Sequence, residues 1–374
     1  MSVGFRALIN REGMAEAFGV VAGVASHKSP KPILQNVLLS VSESGASLAA
    51  TDMEVGIRRD VLGVKAEGVG DVVLPTARFG AILRSCGDAE LEIESDGDKL
   101  TVKGLRASFT LPAEDASLFP AVPGFDATGW IVVSSADLRK IIRRTAFCTN
   151  AAETRYAMGG VLFELRGNGS LRGVATDGRR LAFMDVESTV EGDLGEIGQP
   201  VLPVKALKLI EKSIADDGPP VHLAFTSRSV FVRTENAVIS SRLIEGKYPK
   251  YEDAIPAAKP IRVPLNVGEF RSAVEQASIV TTEESRAVDF RFGDNGLVLS
   301  SQSADAGSSI VELPIVHHGL AIDILVSPVF LGDALKTLDE ESEAFVELVD
   351  QRHVFGLTTA DGYGYYVSPM SREK

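Results

Sequence analysis

The same order of elements occurs three times along this chain, at intervals of about 125 residues. Each copy opens with an amphipathic helix, at Asn10–Ala25, Ser134–Thr149 and Asn266–Val280. A strand, a Gly-containing turn and a second strand follow, closing near Asp52, Asp177 and Asp305. A proline then starts a second helix (Pro75, Pro203, Pro328), and a hairpin begins at Leu91, Val221 and Phe345. Phe119-Pro120, Tyr248-Pro249 and Ser368-Pro369 end the copies. Periods of 20–50 residues mean solenoids or propellers. A period this long means three whole domains of one fold, each large enough for its own core. The spacing predicts domains at 1–125, 126–256 and 257–374.

Each copy reads as two helices and roughly eight short strands. Asp-Gly and Asn-Gly turns in ESDGDK, GNGS and GDNG mark hairpins, so the sheet is antiparallel. The fold class is therefore α+β, two helices packed on antiparallel sheet in three tandem copies. Pro123–Gly129 and Ala254–Pro260, rich in Pro, Gly and Ala, are the candidate linkers.

Hydrophobic residues make up 45% of the chain and charged ones 24%, as in ordinary globular proteins. No apolar run reaches the roughly 18 residues of a membrane span. The start, MSVGFRALINREG, has charges where a signal peptide needs its apolar stretch. Two cysteines, Cys86 and Cys148, make no disulfide framework. A cytoplasmic location with no membrane partner is expected.

The net charge of −13 argues at first against a nucleic-acid partner. Its distribution argues otherwise. The six helical segments (9–28, 75–86, 134–149, 203–214, 266–280 and 327–338) carry about +6 together, leaving about −19 elsewhere. In ADLRKIIRRTAF, Leu138, Ile141, Ile142 and Thr145 form the buried stripe, and Arg139, Lys140, Arg143 and Arg144 form two i, i+4 pairs opposite. Lys205, Lys208 and Lys212 share a face of the fourth helix, and the first copy adds Lys28, Arg78 and Arg84. Such residues, without base-reading Asn or Gln beside them, contact phosphate without sequence preference.

Catalytic constellations are not apparent. GNGSLRG (Gly167–Gly173) links two strands and lacks phosphate-loop spacing. His317-His318 has no partners at metal spacing, so neither metal nor cofactor is expected. Asp52 and Asp177 recur in ATD, which points to turn capping rather than to a catalytic pair.

ATDGRRLA (Ala175–Ala182), KPILQNVLL (Lys31–Leu39), LPTARF (Leu74–Phe79), KYPKYEDAIP (Lys247–Pro256) and YYVSPM (Tyr365–Met370) together resemble the bacterial DNA sliding clamp family, the beta subunit of DNA polymerase III. The resemblance runs in order through all three copies. It implies the DNA-clamp fold and a non-catalytic processivity factor: a head-to-tail ring dimer around duplex DNA, helices lining the hole. Twelve helices spaced about 9–10 Å apart enclose a hole of roughly 26 Å, enough for a duplex.

The resemblance also implies site residues. A groove for short apolar peptides of the polymerase alpha subunit, other polymerases, repair proteins and the clamp loader maps to Met158, Thr176, Gly178, Arg179, Arg180, Leu181, Pro249, Phe330, Tyr366, Pro369 and Met370. DNA contacts map to Lys28, Arg155, Tyr156 and Lys205, beside the basic helical residues above. The dimer contact maps to Phe109 and Leu111 against Ile279 and Val280. Arg179 replaces the family's usual His, Ser368 stands where an apolar residue is common, Asp253 where a basic one is, and SREK follows Met370. A nucleotide-active enzyme and a peptide scaffold that never meets DNA are the rival readings. The missing carboxylate–metal cluster weighs against the first, the basic helices against the second.

Overall fold

The computed structural model describes residues 4–25, 29–96, 99–153, 155–256, 260–282, 286–293, 296–316 and 321–371. Lys28, His317-His318, Gly97-Asp98 of the first predicted turn, Asp294-Asn295 of the third, residues 257–259 of the second linker and the last three residues lie outside them.

All six expected helices form: α1 (Arg11–Ala22), α2 (Thr76–Ser85), α3 (Ser135–Thr145), α4 (Val204–Lys212), α5 (Val267–Ala277) and α6 (Pro328–Leu335). They are shorter than the apolar periodicity implies, because caps decide the ends. The Asn10, Asn266 and Ser327 side chains accept from the backbone N–H of Gly13, Glu269 and Phe330, so these residues precede their helices. At the other ends, α3 and α5 tighten into 3-10 turns at Ala146–Cys148 and Ser278–Val280. With these bounds the helices carry about +4, concentrated in α2, α3 and α4, while α1, α5 and α6 are each net negative.

The chain condenses into two compact units that do not coincide with the three repeats: residues 1–136 with 189–243, and 137–188 with 244–374. Strand pairing explains this. In the first unit, Ala237–Arg242 of the second repeat pairs antiparallel with Val55–Val61 of the first, with Ala237 opposite Arg59 and Ser241 opposite Val55. The result is a nine-stranded sheet with the order Thr189–Gly192, Gly129–Val133, Val221–Phe225, Ser229–Arg233, Ala237–Arg242, Val55–Val61, Gly45–Thr51, Val37–Ser42, Gly70–Leu74. In the second unit, Arg180–Glu187 pairs antiparallel with Tyr363–Val367 of the third repeat, with Arg180 opposite Val367 and Met184 opposite Tyr363.

Each unit also holds a sheet from one repeat alone. The first repeat forms Lys65–Glu67, Phe5–Asn10, Glu90–Ser95, Lys99–Lys103, Ser108–Pro112, and the third forms Gly307–Leu313, Gly296–Ser303, Val288–Gly293, Ile322–Val326, in those orders. Helices pack on one face of the sheets. α1 lies against Gly45–Thr51 and Val55–Val61 and meets α2 through an edge-on Phe18–Phe79 contact at 5.0 Å, while α5 covers Gly296–Ser303 and Gly307–Leu313. The strands alternate accordingly, with Val37, Leu39 and Val41 buried while their neighbours face out.

Candidate functional site

The second unit carries a cavity of about 1100 Å³ where the Asp177–Arg180 turn, the start of α6 and the end of the chain meet. Backbone bonds bring these pieces together: Ser368 N–H donates to the Arg179 carbonyl at 2.9 Å and Met370 N–H to the Leu325 carbonyl at 2.8 Å. The turn is built by its own side chains. Asp177 Oδ1 accepts from the N–H groups of Arg179 and Arg180, and Thr176 Oγ1 donates to the Arg180 carbonyl at 2.7 Å. Gly178 supplies the positive φ of 85° that the turn requires. Val329 and Met370 offer exposed apolar surface beside Phe330 and Pro369.

Arg180 forms the wall behind this cavity. Its guanidinium bonds Asp177 at 2.9 Å, Asp333 at 2.8 Å and the Phe147 carbonyl at 3.2 Å, and it lies 4.4 Å from the centre of the Phe330 ring. Burial opposes its charge, but the Asp333 hydrogen bond and the other partners outweigh burial and hold its pKa above the usual arginine value. Tyr365 donates to the Phe330 carbonyl at 2.7 Å, fixing the first turn of α6. Nearby, burial pushes the Cys148 thiol well above its ordinary pKa, so it stays protonated.

Four of the expected groove residues line the cavity: Arg179, Phe330, Pro369 and Met370. Thr176, Gly178, Arg180 and Leu181 shape the turn and strand behind it, with Leu181 buried. Met158, Pro249 and Tyr366 do not line it; Tyr366 is buried, stacked on Phe183 at 6.4 Å and donating to Glu347. Among the described residues, Thr281, Thr282, Arg286, Ser327, Pro328, Val329, Ser368 and Ser371 also line it. Of these, Val329 had a readable signal, an apolar residue in a Ser-Pro helix start where the face should be polar.

Several of the basic residues are paired within the protein. Arg144 grips Asp361 through both carboxylate oxygens at 2.9 and 2.8 Å and lies 5.5 Å from the Tyr363 ring. Lys140 bonds Asp137 at 3.1 Å, and Lys205 is paired with Asp52. Arg139 and Arg143 also have partners, and Arg78 is exposed on α2. Arg155 sits over the Tyr156 ring at 5.4 Å, both exposed. Asp52 and Asp177 cap equivalent turns, as their recurrence predicts: Asp52 Oδ1 accepts from the Glu54 and Val55 N–H groups. GNGSLRG is a hairpin, with Asn168 capping Ser170. No group of metal-ligating side chains is found among the described residues.

Comparison with known proteins decides the family. Models of the N-terminal, central and C-terminal domains of the DNA polymerase III beta subunit match residues 5–123, 132–250 and 252–368. The chain belongs to the DNA polymerase III beta-subunit family. Beta sliding clamps of Pseudomonas aeruginosa and Vibrio cholerae are 27% and 28% identical over 365 and 356 residues, covering 97% and 91% of this chain and 98% and 95% of theirs. A Pseudomonas aeruginosa sliding clamp solved bound to griselimycin superposes with a TM-score of 0.90 at 27% identity, covering 99% of this chain and all of that one. The Bacillus subtilis clamp, with a TM-score of 0.91 and 24% identity, shares the fold. As a beta subunit the chain is a sliding clamp, a non-catalytic accessory of the polymerase that binds DNA and polymerase partners.

In this clamp the four residues assigned to the protomer contact lie at chain-terminal sheets. Phe109 and Leu111 are on Ser108–Pro112, and Ile279 and Val280 are in the 3-10 turn after α5. Ile279 is 77% exposed. Sequence reasoning missed the strand Gly307–Leu313, which ends its sheet and exposes Ile310. Its signal was available: it occupies in the third repeat the place of Val55–Val61 in the first.

Proposed function

We propose that two copies of this clamp join head to tail into a ring that encloses duplex DNA and tethers polymerases through the cavity beside α6. Two unpaired strand edges carry this reading. In the second repeat, the strand equivalent to Ser108–Pro112 pairs with a strand equivalent to Gly307–Leu313. Both of those end strands lack a further neighbour among the described residues. An open apolar edge is a template for another chain. Joining five strands to four gives nine, the size of one of the two junction sheets within the chain, the other having eight. Such a contact is heterologous and closes as a ring. The domains of this reading are 1–125, 126–256 and 257–374.

The paired cations fit a sliding function. Lys140, Arg144 and Lys205 must exchange internal carboxylates for phosphates, so their net gain on meeting DNA is small. Enclosure then holds the clamp without tight, position-fixing contacts. The clamp loader, the polymerase alpha subunit and repair proteins would share the apolar cavity, whose Met370 and Phe330 suit several partners.

Loading onto nicked circular DNA, then cutting the circle, tests enclosure. A ring stays on the circle and leaves the linear form; equal retention on both overturns the reading. Titration of a labelled polymerase-tail peptide tests the groove. Met370→Ala should weaken binding about 10-fold, and griselimycin, bound by the similar Pseudomonas clamp, should compete. Unchanged affinity removes Met370 from the site.

A further inference from the structure

The described lining of the cavity beside α6 combines apolar side chains with two arginines, Arg179 and Arg286. Arg179 is held at both backbone ends, its N–H donating to Asp177 at 2.9 Å and its carbonyl accepting from Ser368 at 2.9 Å. Its side chain is exposed and has no hydrogen bond or ion pair among the described residues. Asp177 of the turn and Asp333 of α6 are already engaged elsewhere. Asp177 is engaged by two backbone N–H groups and by Arg180, and Asp333 is bonded to Arg180. Arg286 lines the cavity too but is already engaged. The other described lining residues are hydroxyl-bearing or apolar, and none is acidic. Arg179 is thus an exposed guanidinium, unpaired among the described residues, in a cavity whose described lining includes Pro328, Val329, Phe330, Pro369 and Met370.

We propose that Arg179 selects partner peptides that carry a carboxylate beside their apolar anchors, pairing with it at the rim of the cavity. The inference rests on the groove reading above. Guanidinium geometry favours a carboxylate over a neutral amide, because two parallel N–H groups meet both oxygens. The pair is solvent-exposed, so it tunes choice among partners rather than supplying most of the affinity.

The test uses a labelled polymerase-tail peptide in which each position outside the apolar anchors is made Asp or Asn in turn. Each pair is titrated against the full-length protein, Arg179→Gln and Arg179→Lys, at 50 and 300 mM salt. Wild type should prefer Asp over Asn by about 3- to 10-fold at one or two positions at low salt, and less at high salt. Arg179→Gln should abolish the preference while still binding the Asn peptides, and Arg179→Lys should keep part of it. An Asp/Asn ratio equal in wild type and Arg179→Gln at every position overturns the role of Arg179 and leaves the groove standing. Failure of every peptide to bind the wild type removes the groove itself, and this inference with it.

Discussion

Met53 is the one non-glycine residue with positive φ among the described residues, at 76°. It sits where Gly178 sits in the next repeat, between a capping aspartate and the following strand. Thr51 and Thr176 act alike, each hydroxyl donating to the carbonyl four residues on and accepting an N–H two residues on. The turn's hydrogen bonds thus hold a methionine in a conformation costing about 1–2 kcal/mol for a residue with a Cβ. Glycine removes that cost but has more freedom to lose, about 0.5–1 kcal/mol. Met53→Gly should therefore stabilise the first unit by about 0.5–1 kcal/mol, read as a higher urea midpoint from the single tryptophan, Trp130. An unchanged or lower midpoint contradicts this account. The aspartate turns were legible because their hydrogen bonds are local. The left-handed Met53 was not, since methionine carries no sign of that conformation. Tyr366 illustrates a different limit: which side of its strand meets the cavity depends on register with Arg180–Glu187, a partner about 180 residues away.

At the scale of elements, helix existence followed from apolar spacing, while helix ends followed from caps and 3-10 turns that periodicity does not encode. Cross-strand partners were equally hidden. Gly129–Val133 pairs with Val221–Phe225, and this places Trp130 against His222, with ring centres 6.0 Å apart. Trp130 also donates to Glu191 at 3.0 Å, and Arg233 lies over the Trp130 and Phe125 rings. Burial, aided by the Arg233 charge, lowers the His222 pKa below its ordinary value, against the pull of Glu191. The unfolded chain then takes up a proton near pH 6.5 that the folded chain refuses until lower pH. The contribution of His222 is fully present above about pH 6.5 and declines as pH falls towards its folded pKa. Urea midpoints followed by Trp130 should fall between pH 7.5 and 5.5 more in wild type than in His222→Gln. Protonation should also quench Trp130 in the folded protein, at a pH below that of free histidine. Parallel pH profiles for the two proteins contradict the assignment.

For the whole molecule, the threefold repeat was readable because each copy carries the same local signals in the same order. The two compact units were not, because each junction sheet pairs strands from different repeats, and local pattern does not say which edge meets which. The same logic extends to the unpaired ends. Ser108–Pro112 and Gly307–Leu313 are equivalents of strands that elsewhere are paired, and Ile279 is 77% exposed beside the second of these edges, whose Ser309 bonds the Ala277 carbonyl. A large apolar side chain so exposed contributes little to the fold of its own protomer, so replacing it tests assembly without disturbing the domain. Ile279→Asp places a charge where a partner's Phe109 and Leu111 would desolvate it, at a cost of several kcal/mol per dimer contact. Wild type should therefore run in solution at twice 39.8 kDa, and Ile279→Asp at 39.8 kDa at micromolar concentration, with thermal unfolding of the monomer unchanged. The variant should also be lost from nicked circles while still binding the polymerase-tail peptide, since the cavity lies within one protomer. A dimer that survives the substitution moves the contact away from this edge; a wild-type trimer keeps the edge pairing and changes the number of copies in the ring.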